Sequence, residues 1–326
     1  MPERALTVAV TGPTGDIGRA LLRAAERDGR VGRILGMARR PFDPGALGLT
    51  KTEYREGDVL DRAAIDALVA EADVVVHLAF VIVGGLDETR SVNLEGSRNV
   101  FAAAAAAPRA RRLVYTSSVA AYGFHGDNPQ PLTENAPARG SDGHYYSAQK
   151  AELEAALYEA IAGSQVEPFI LRPSIVAGGD ATFMIEIIPA LVRRLPYMRP
   201  VLPDPGVPFQ LVHQDDVASA LLASIHGDGP AGVYNIAGPG ELRMRELAGA
   251  LGWFSVPVPR ASIDLTAQVA RLPLMPAKAQ WLNAFRVPVV MDTTRAREQL
   301  GWTPEYDAHE VLEQTVAAAR EAGLVQ

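Results

Sequence analysis

The sequence predicts an α/β protein, a doubly wound parallel sheet of the Rossmann-like kind with a smaller, interleaved C-terminal lobe. Three observations predict it: short apolar runs alternate with helical stretches through the first half of the chain, these runs are apolar on both faces, and a glycine-rich turn follows the first of them. Strands buried on both faces belong to parallel sheets covered by helices on either side.

The first run, Leu6 to Val10, is β-compatible and bounded by Gly12, after which Ile17, Leu21, Leu22 and Ala25 recur at helical spacing. Further strands are expected over Arg33 to Ala38, Thr52 to Arg55, Val74 to Leu78, Arg112 to Thr116 and Val166 to Leu171. Helices are expected over Arg62 to Ala70, Val92 to Ala107 and Tyr146 to Ala162. The alanine run Ala102 to Ala107 needs no explanation beyond helix propensity. After residue 172 prolines cluster from Pro189 to Pro208 and the elements become isolated, which marks a second lobe. A strand Phe209 to Val212, a helix Asp215 to Ile225 and a strand Val233 to Ile236 interrupt that lobe, and they are placed to return to the first sheet. The expected division is residues 1–172 with returning segments in 209–237, against 173–208 and 238–326. The apolar stretch Ile263 to Phe285, broken by Pro273 and Pro276, is read as core rather than as a cover for a cleft.

The chain has 326 residues, 21% charged and 48% hydrophobic, enough for one large or two ordinary domains. Its 31 basic and 38 acidic side chains leave a net charge of −7, which disfavours nucleic acid as a partner. The absence of cysteine excludes disulfides, thiolate metal sites and cysteine nucleophiles. The six histidines lack any metal-ligand spacing, so no metal is expected and His125 and His144 are read as structural, with substrate contact as the alternative. Val74 to Leu86 is too short for the ~20 residues that span a bilayer. Met1-Pro2-Glu3-Arg4 lacks the pattern of a secretion leader, and a cytoplasmic protein is expected.

Thr11-Gly12-Pro13-Thr14-Gly15-Asp16-Ile17-Gly18 stands between the first strand and the first helix, where the chain must turn tightly and backbone must approach a ligand. The N–H groups and dipole of that helix start favour a pyrophosphate. At the end of the second strand, where an acid would accept the ribose hydroxyls of NAD, stand Ala38, Arg39 and Arg40. Guanidinium groups bind a 2′-phosphate, so NADP is preferred and NAD is the alternative. Asp58, after the third strand, is placed to accept from an adenine amino group or to cap the helix that follows.

Tyr146-Ser147-Ala148-Gln149-Lys150 sets a phenol and an ammonium four residues apart, on one face of a helix. A free phenol ionises near pH 10, and bringing it to neutrality takes about 4 kcal/mol. A nearby lysine, with the positive charge of an oxidised nicotinamide, has the required sign. Upstream, Leu113-Val114-Tyr115 ends in Thr116-Ser117-Ser118, which gathers hydroxyls at the carboxyl edge of the sheet, where ligands of such folds bind.

With these elements goes a further series: His77-Leu78-Ala79, Asn93-Leu94-Glu95-Gly96, Leu171-Arg172-Pro173, Val212-His213-Gln214-Asp215-Asp216-Val217-Ala218 and Leu300-Gly301-Trp302-Thr303-Pro304. In order and spacing the chain resembles, nearly end to end, the extended short-chain dehydrogenase/reductases of the NAD(P)-dependent epimerase/dehydratase family. The resemblance implies that Gly12, Gly15, Asp16, Ile17, Arg39, Asp58, Val59, Leu78, Ala79, Asn93, Thr116, Lys150, Pro173 and Val176 line the dinucleotide. It implies that Ser118, Tyr146 and Lys150 are the catalytic set, and that a homodimer forms on the helices Val92 to Ala107 and Tyr146 to Ala162.

Dehydratases of that family carry an acid pair after a threonine, whereas this chain has Ser118-Val119-Ala120. Nucleotide-sugar epimerases place an asparagine and aromatic residues after the Arg-Pro strand, whereas here Pro173-Ser174-Ile175-Val176-Ala177-Gly178-Gly179 follows. Phe183, Met184, Ile185, Ile187 and Ile188 suit a substrate of low charge, while Arg193, Arg194 and Arg199 keep a phosphate-bearing one open. The expected reaction is hydride transfer between nicotinamide and a carbonyl or alcohol carbon of a small or moderately apolar substrate. Epimerisation of a nucleotide sugar is the alternative, and a non-catalytic NADP sensor the third reading.

Overall fold

The computed structural model describes residues 4–82, 89–182, 184–185, 200–259 and 286–325. Seven parallel strands form one sheet: β1 (Leu6–Thr11), β2 (Val31–Ala38), β3 (Thr52–Glu56), β4 (Val74–His77), β5 (Arg112–Thr116), β6 (Glu167–Pro173) and β10 (Gly232–Ile236), in the order β10-β6-β5-β4-β1-β2-β3. The order reverses beside β1, and at such a crevice the carboxyl ends of doubly wound sheets bind ligands. Helices α1 (Asp16–Arg27) and α5 (Gln214–His226) cover one face, where Leu21, Leu22, Val217 and Leu221 join the core. Helices α2 (Arg62–Val69), α3 (Ser97–Ala106) and α4 (Tyr145–Ile161) cover the other, with Ile65, Phe101, Leu153 and Leu157 fully packed.

Beyond β6 the chain leaves this sheet. A short β7 (Ile175–Ala177) pairs in parallel with β9 (Leu211–His213), and β8 (Val201–Asp204) pairs with β11 (Phe254–Pro257). Helices α6 (Met244–Ala250) and α8 (Ala308–Glu321) pack on a separate apolar cluster of Leu211, Leu242, Leu247, Val311 and Leu312, whereas α7 (Thr294–Gln299) places Ala296 in the core shared by α1 and α5. Thus the strand expected over Phe209 to Val212 begins two residues later and pairs with β7, while Gly232–Ile236 adds the seventh strand beside β6. The stretch Ile263 to Phe285 lies outside the described residues.

The helix expected over Val92 to Ala107 is regular only from Ser97. Ser91–Gly96 instead winds with the wider π pitch. The cause is Asn93, fully buried, whose side chain accepts from Val81 N (2.8 Å) and donates to Val81 O (3.0 Å) and Gln149 Oε1 (2.8 Å). One residue thereby staples the loop after β4 to α4, and periodicity carries no sign of it. Among the described residues no helix is long and apolar enough to cross a membrane, and no group of His, Asp or Glu is arranged to hold a metal ion.

Candidate active site

The glycine turn is built by exclusion. Gly12 has φ +73°, and a Cβ there would lie 2.7 Å from Ala79 N, while a Cβ on Gly18 would lie 2.4 Å from Gly12 O. Both positions bar a side chain by backbone contact. Gly15 differs, because its Cβ would meet only Gly12 O at 3.7 Å, and this open side faces a cavity of about 370 Å³.

Across that cavity stand the hydroxyls of β5. Ser118, in extended backbone, hydrogen-bonds the Tyr146 phenol and accepts from Ala120 N at 3.1 Å. Tyr146 lies in the first turn of α4, which begins because His144 caps it, Nδ1 accepting from Ser147 N at 3.3 Å. Lys150, one turn on and 3% exposed, donates to Thr116 O at 2.8 Å and reaches Tyr115 Oη at 3.4 Å. Its Nζ also sits 3.8 Å from the centroid of Phe80, whose edge meets the Tyr146 ring with centroids 5.4 Å apart.

Burial dominates the electrostatics. It lowers Lys150 to about 7, with Glu154 acting in the opposite sense, and raises Tyr146 to about 12, with the Ser118 hydrogen bond opposing the rise. The expectation that Lys150, with the positive charge of an oxidised nicotinamide, brings the phenol down concerns the coenzyme-bound site; in the chain alone, burial of the phenol acts the other way. The ammonium is 5.8 Å from the Tyr146 ring centroid and directed to Thr116 O, and desolvation acts on both groups. His77, between Thr11 Oγ1 (2.7 Å) and Ser97 Oγ (2.8 Å), is lowered to about 3 by burial, and His144 to about 4 by the same cause.

Of the residues singled out in the sequence, Gly12, Gly15, Asp16, Ile17, Leu78, Thr116, Ser118, Tyr146, Lys150, Pro173, Val176 and Met184 line the cavity together. Arg39, Asp58, Val59, Ala79 and Asn93 are not in its lining. Arg39 is exposed just beyond β2, whose Met37 O accepts from Gly12 N at 2.9 Å. The Asp58 carboxylate accepts from Leu60 N at 3.0 Å, and the cap of α2 is Asp61 instead. Val59 packs where Gly96 leaves room, Ala79 backs Gly12, and Asn93 is the staple described above. His125, bonded to Gly140 O at 2.5 Å, and His144 are absent from the lining too. Phe183, Ile187, Ile188, Arg193, Arg194 and Arg199 lie outside the described residues.

The sequence reading missed Phe80, Ile82, Phe124, Ser174, Phe209, Gln210 and Val289, which form much of the remaining wall. They come from separate segments, and only the fold brings them together. Two buried hydroxyls of the lining, Thr116 Oγ1 and Ser174 Oγ, have no hydrogen-bond partner among the described residues. Asp16 and Lys150 are the only charged side chains in the described lining.

The profile of the NAD dependent epimerase/dehydratase family matches residues 8–237, and the chain belongs to that family. An uncharacterised protein of Mycobacterium tuberculosis is 28% identical over 97% of this chain, which spans only 30% of that protein's length. A ceramide reductase of Caulobacter vibrioides is 31% identical over 66% of this chain and 60% of its own. Among solved structures, a short-chain dehydrogenase/reductase superfamily protein of Agrobacterium tumefaciens with bound NAD is 21% identical, with a TM-score of 0.72 over 97% of this chain and 98% of that one. A UDP-glucose 4-epimerase of Thermotoga maritima is 18% identical, with a TM-score of 0.72 over 97% and 99%. At these identities the structures share the fold of this chain.

Proposed function

We propose that the chain is an NAD(P)-dependent oxidoreductase that passes a hydride between nicotinamide and a carbonyl or alcohol carbon of a small or moderately apolar substrate. The carrying observation is that Ser118, Tyr146 and Lys150 meet in a cavity whose described lining otherwise holds one charged residue, Asp16. A dinucleotide fits the residues present. Gly15 leaves the open side that a diphosphate needs at a helix start, and Thr116 and Ser174 offer buried hydroxyls without partners. Gly12, Gly15, Asp16, Ile17, Leu78, Thr116, Lys150, Pro173 and Val176 would hold the body of the coenzyme, with Asp58, Val59, Ala79 and Asn93 behind it. Arg39 would meet the adenosine end and favour NADP over NAD.

When bound, the coenzyme supplies or takes up the hydride, and in its oxidised form adds a positive charge near the phenol. The chain's residues move the proton. In the reductive direction the substrate carbonyl carbon gains the hydride and its oxygen gains the Tyr146 proton; oxidation of an alcohol reverses both transfers. Ser118 donates to the reacting oxygen, and Lys150 favours the phenolate left behind. The apolar wall excludes water and suits an uncharged substrate, and the likeness to a ceramide reductase supports redox chemistry on such a molecule. Epimerisation of a nucleotide sugar is the weaker reading, because a diphosphate in a partly dry site needs cationic partners, and Lys150 is the only cation in the described lining. A homodimer through α3 and α4 and a cytoplasmic location belong to the same proposal.

The test is the absorbance of reduced nicotinamide during turnover of a panel of uncharged aldehydes, ketones and alcohols. Tyr146→Phe is expected to lower kcat by about 10²- to 10⁴-fold while coenzyme Kd stays nearly constant. Undiminished turnover in that variant overturns the proposal.

A further inference from the structure

Helix α4 carries three functional groups at four-residue spacing, Tyr146, Lys150 and Glu154, of which the proposed reaction uses the first two. Glu154 is 4% exposed. Its Oε1 accepts from Ser117 Oγ (2.6 Å) and Arg172 Nε (2.9 Å), and its Oε2 accepts from Arg172 Nη2 (2.5 Å). Ser117 is the middle residue of the strand end whose neighbours are both engaged: Thr116 gives the carbonyl that holds Lys150, and Ser118 gives the hydroxyl that holds Tyr146. Arg172 immediately precedes Pro173, the last residue of β6, and Pro173 and Ser174 are both in the cavity wall. Its guanidinium also stacks 4.3 Å from the Tyr122 ring centroid.

We infer that Glu154 is a positioning residue, which through Ser117 fixes the strand end that holds the catalytic pair and through its buried charge keeps Lys150 an ammonium. The inference rests on the reading of Lys150 as part of a proton-transfer site. Among the described groups around Lys150, α4 contributes Tyr146 and Glu154, and β5 contributes Tyr115, a weak acid raised well above its ordinary range by burial. β4 contributes His77, kept neutral by burial, the loop after β4 contributes the uncharged Phe80, and β6 contributes Arg172 behind Glu154. Of these groups Glu154 alone brings a negative charge at neutral pH. Desolvation pulls Lys150 toward neutrality and the Glu154 carboxylate opposes it. Since an uncharged amine gives a phenolate no electrostatic support, the carboxylate one turn further along sets the pH range over which the site works.

The composition makes this measurable without a substrate. The chain has only three lysines, Lys51, Lys150 and Lys278, so Lys51→Arg with Lys278→Arg leaves Lys150 as the sole lysine. Isotope-labelled lysine in that full-length chain reports the Lys150 titration directly by NMR. Glu154→Gln leaves Arg172 charged and buried, and such a variant is at risk of not folding. Glu154→Gln with Arg172→Met replaces the pair by uncharged groups and is the variant that decides. There the Lys150 midpoint is expected to fall by about 1 pH unit, and further in Glu154→Gln alone if it folds. The alkaline shift of any turnover profile is expected to follow the midpoint. A midpoint in the double variant equal to or above that of the parent overturns the inference. A lowered midpoint in a protein that turns over no carbonyl or alcohol supports the charge assignment and removes the oxidoreductase reading, so the two failures are separable.

Discussion

Gly12 brings the turn's backbone against that of Ala79, and Gly18 brings it against Gly12 and Pro13, whereas Phe209, Gln210 and Val289 contribute to the wall of the same cavity from elsewhere in the chain. At Gly12 and Gly18 the turn has no room for a Cβ. These wall residues stand in isolated bridges and irregular chain outside the named strands. The difference fits the two roles proposed above: a fixed backbone shape suits the diphosphate of a coenzyme, and a composite surface suits a substrate.

The contrast breaks most visibly at Gly18. A methyl there would lie 2.4 Å from Gly12 O and 2.6 Å from Pro13 C, so Gly18→Ala is expected to lose about 3 kcal/mol of stability and most coenzyme affinity, measured by denaturant unfolding and titration. A Gly18→Ala protein as stable as the parent would show that the turn yields as easily as the wall. A middle-sized effect is expected at Arg39, exposed at the carboxyl edge of the sheet. Arg39→Asp should shift the NADP to NAD affinity ratio about tenfold toward NAD, about 1.4 kcal/mol, and an unaltered ratio would remove the arginine from the site. The smallest effect belongs to the wall. Val289→Ala, half-buried, should raise KM for an apolar substrate about fivefold, about 1 kcal/mol, with coenzyme Kd unchanged. A loss of fold there would erase the distinction.

The same contrast explains what the sequence makes legible. The strand ends that matter to the site follow from apolar runs and the residues that stop them, at Ala38 and Thr116 as expected and at Thr11 and His77 one residue from the expected Val10 and Leu78, because local pattern and tertiary burial agree there. The shared helix face of Tyr146 and Lys150 and the hydroxyls gathered at the end of β5 are visible locally, whereas the choice of Ser118 among those hydroxyls comes from the family resemblance. Phe80, Gln210 and Val289 are not legible, because nothing local distinguishes a wall side chain from a core one. The π turn at Ser91–Gly96 is hidden as well, its cause being a contact between Asn93 and a loop twelve residues earlier. Glu154 is the intermediate case. Its spacing from Lys150 is visible, but an acid on a helix is ordinarily solvated, and Arg172 from β6 together with Ser117 makes its burial tolerable.

The ion pair between Glu154 and Arg172 also bears on how this protein could be recombined with its relatives. A chimera that imports a foreign specificity region starting upstream of position 172 would have to import a matching acid on the helix as well, or strand a charge in the interior. A junction placed immediately after Ser174 keeps the native pair intact and exchanges only the residues beyond it, so that position is the natural seam for grafting.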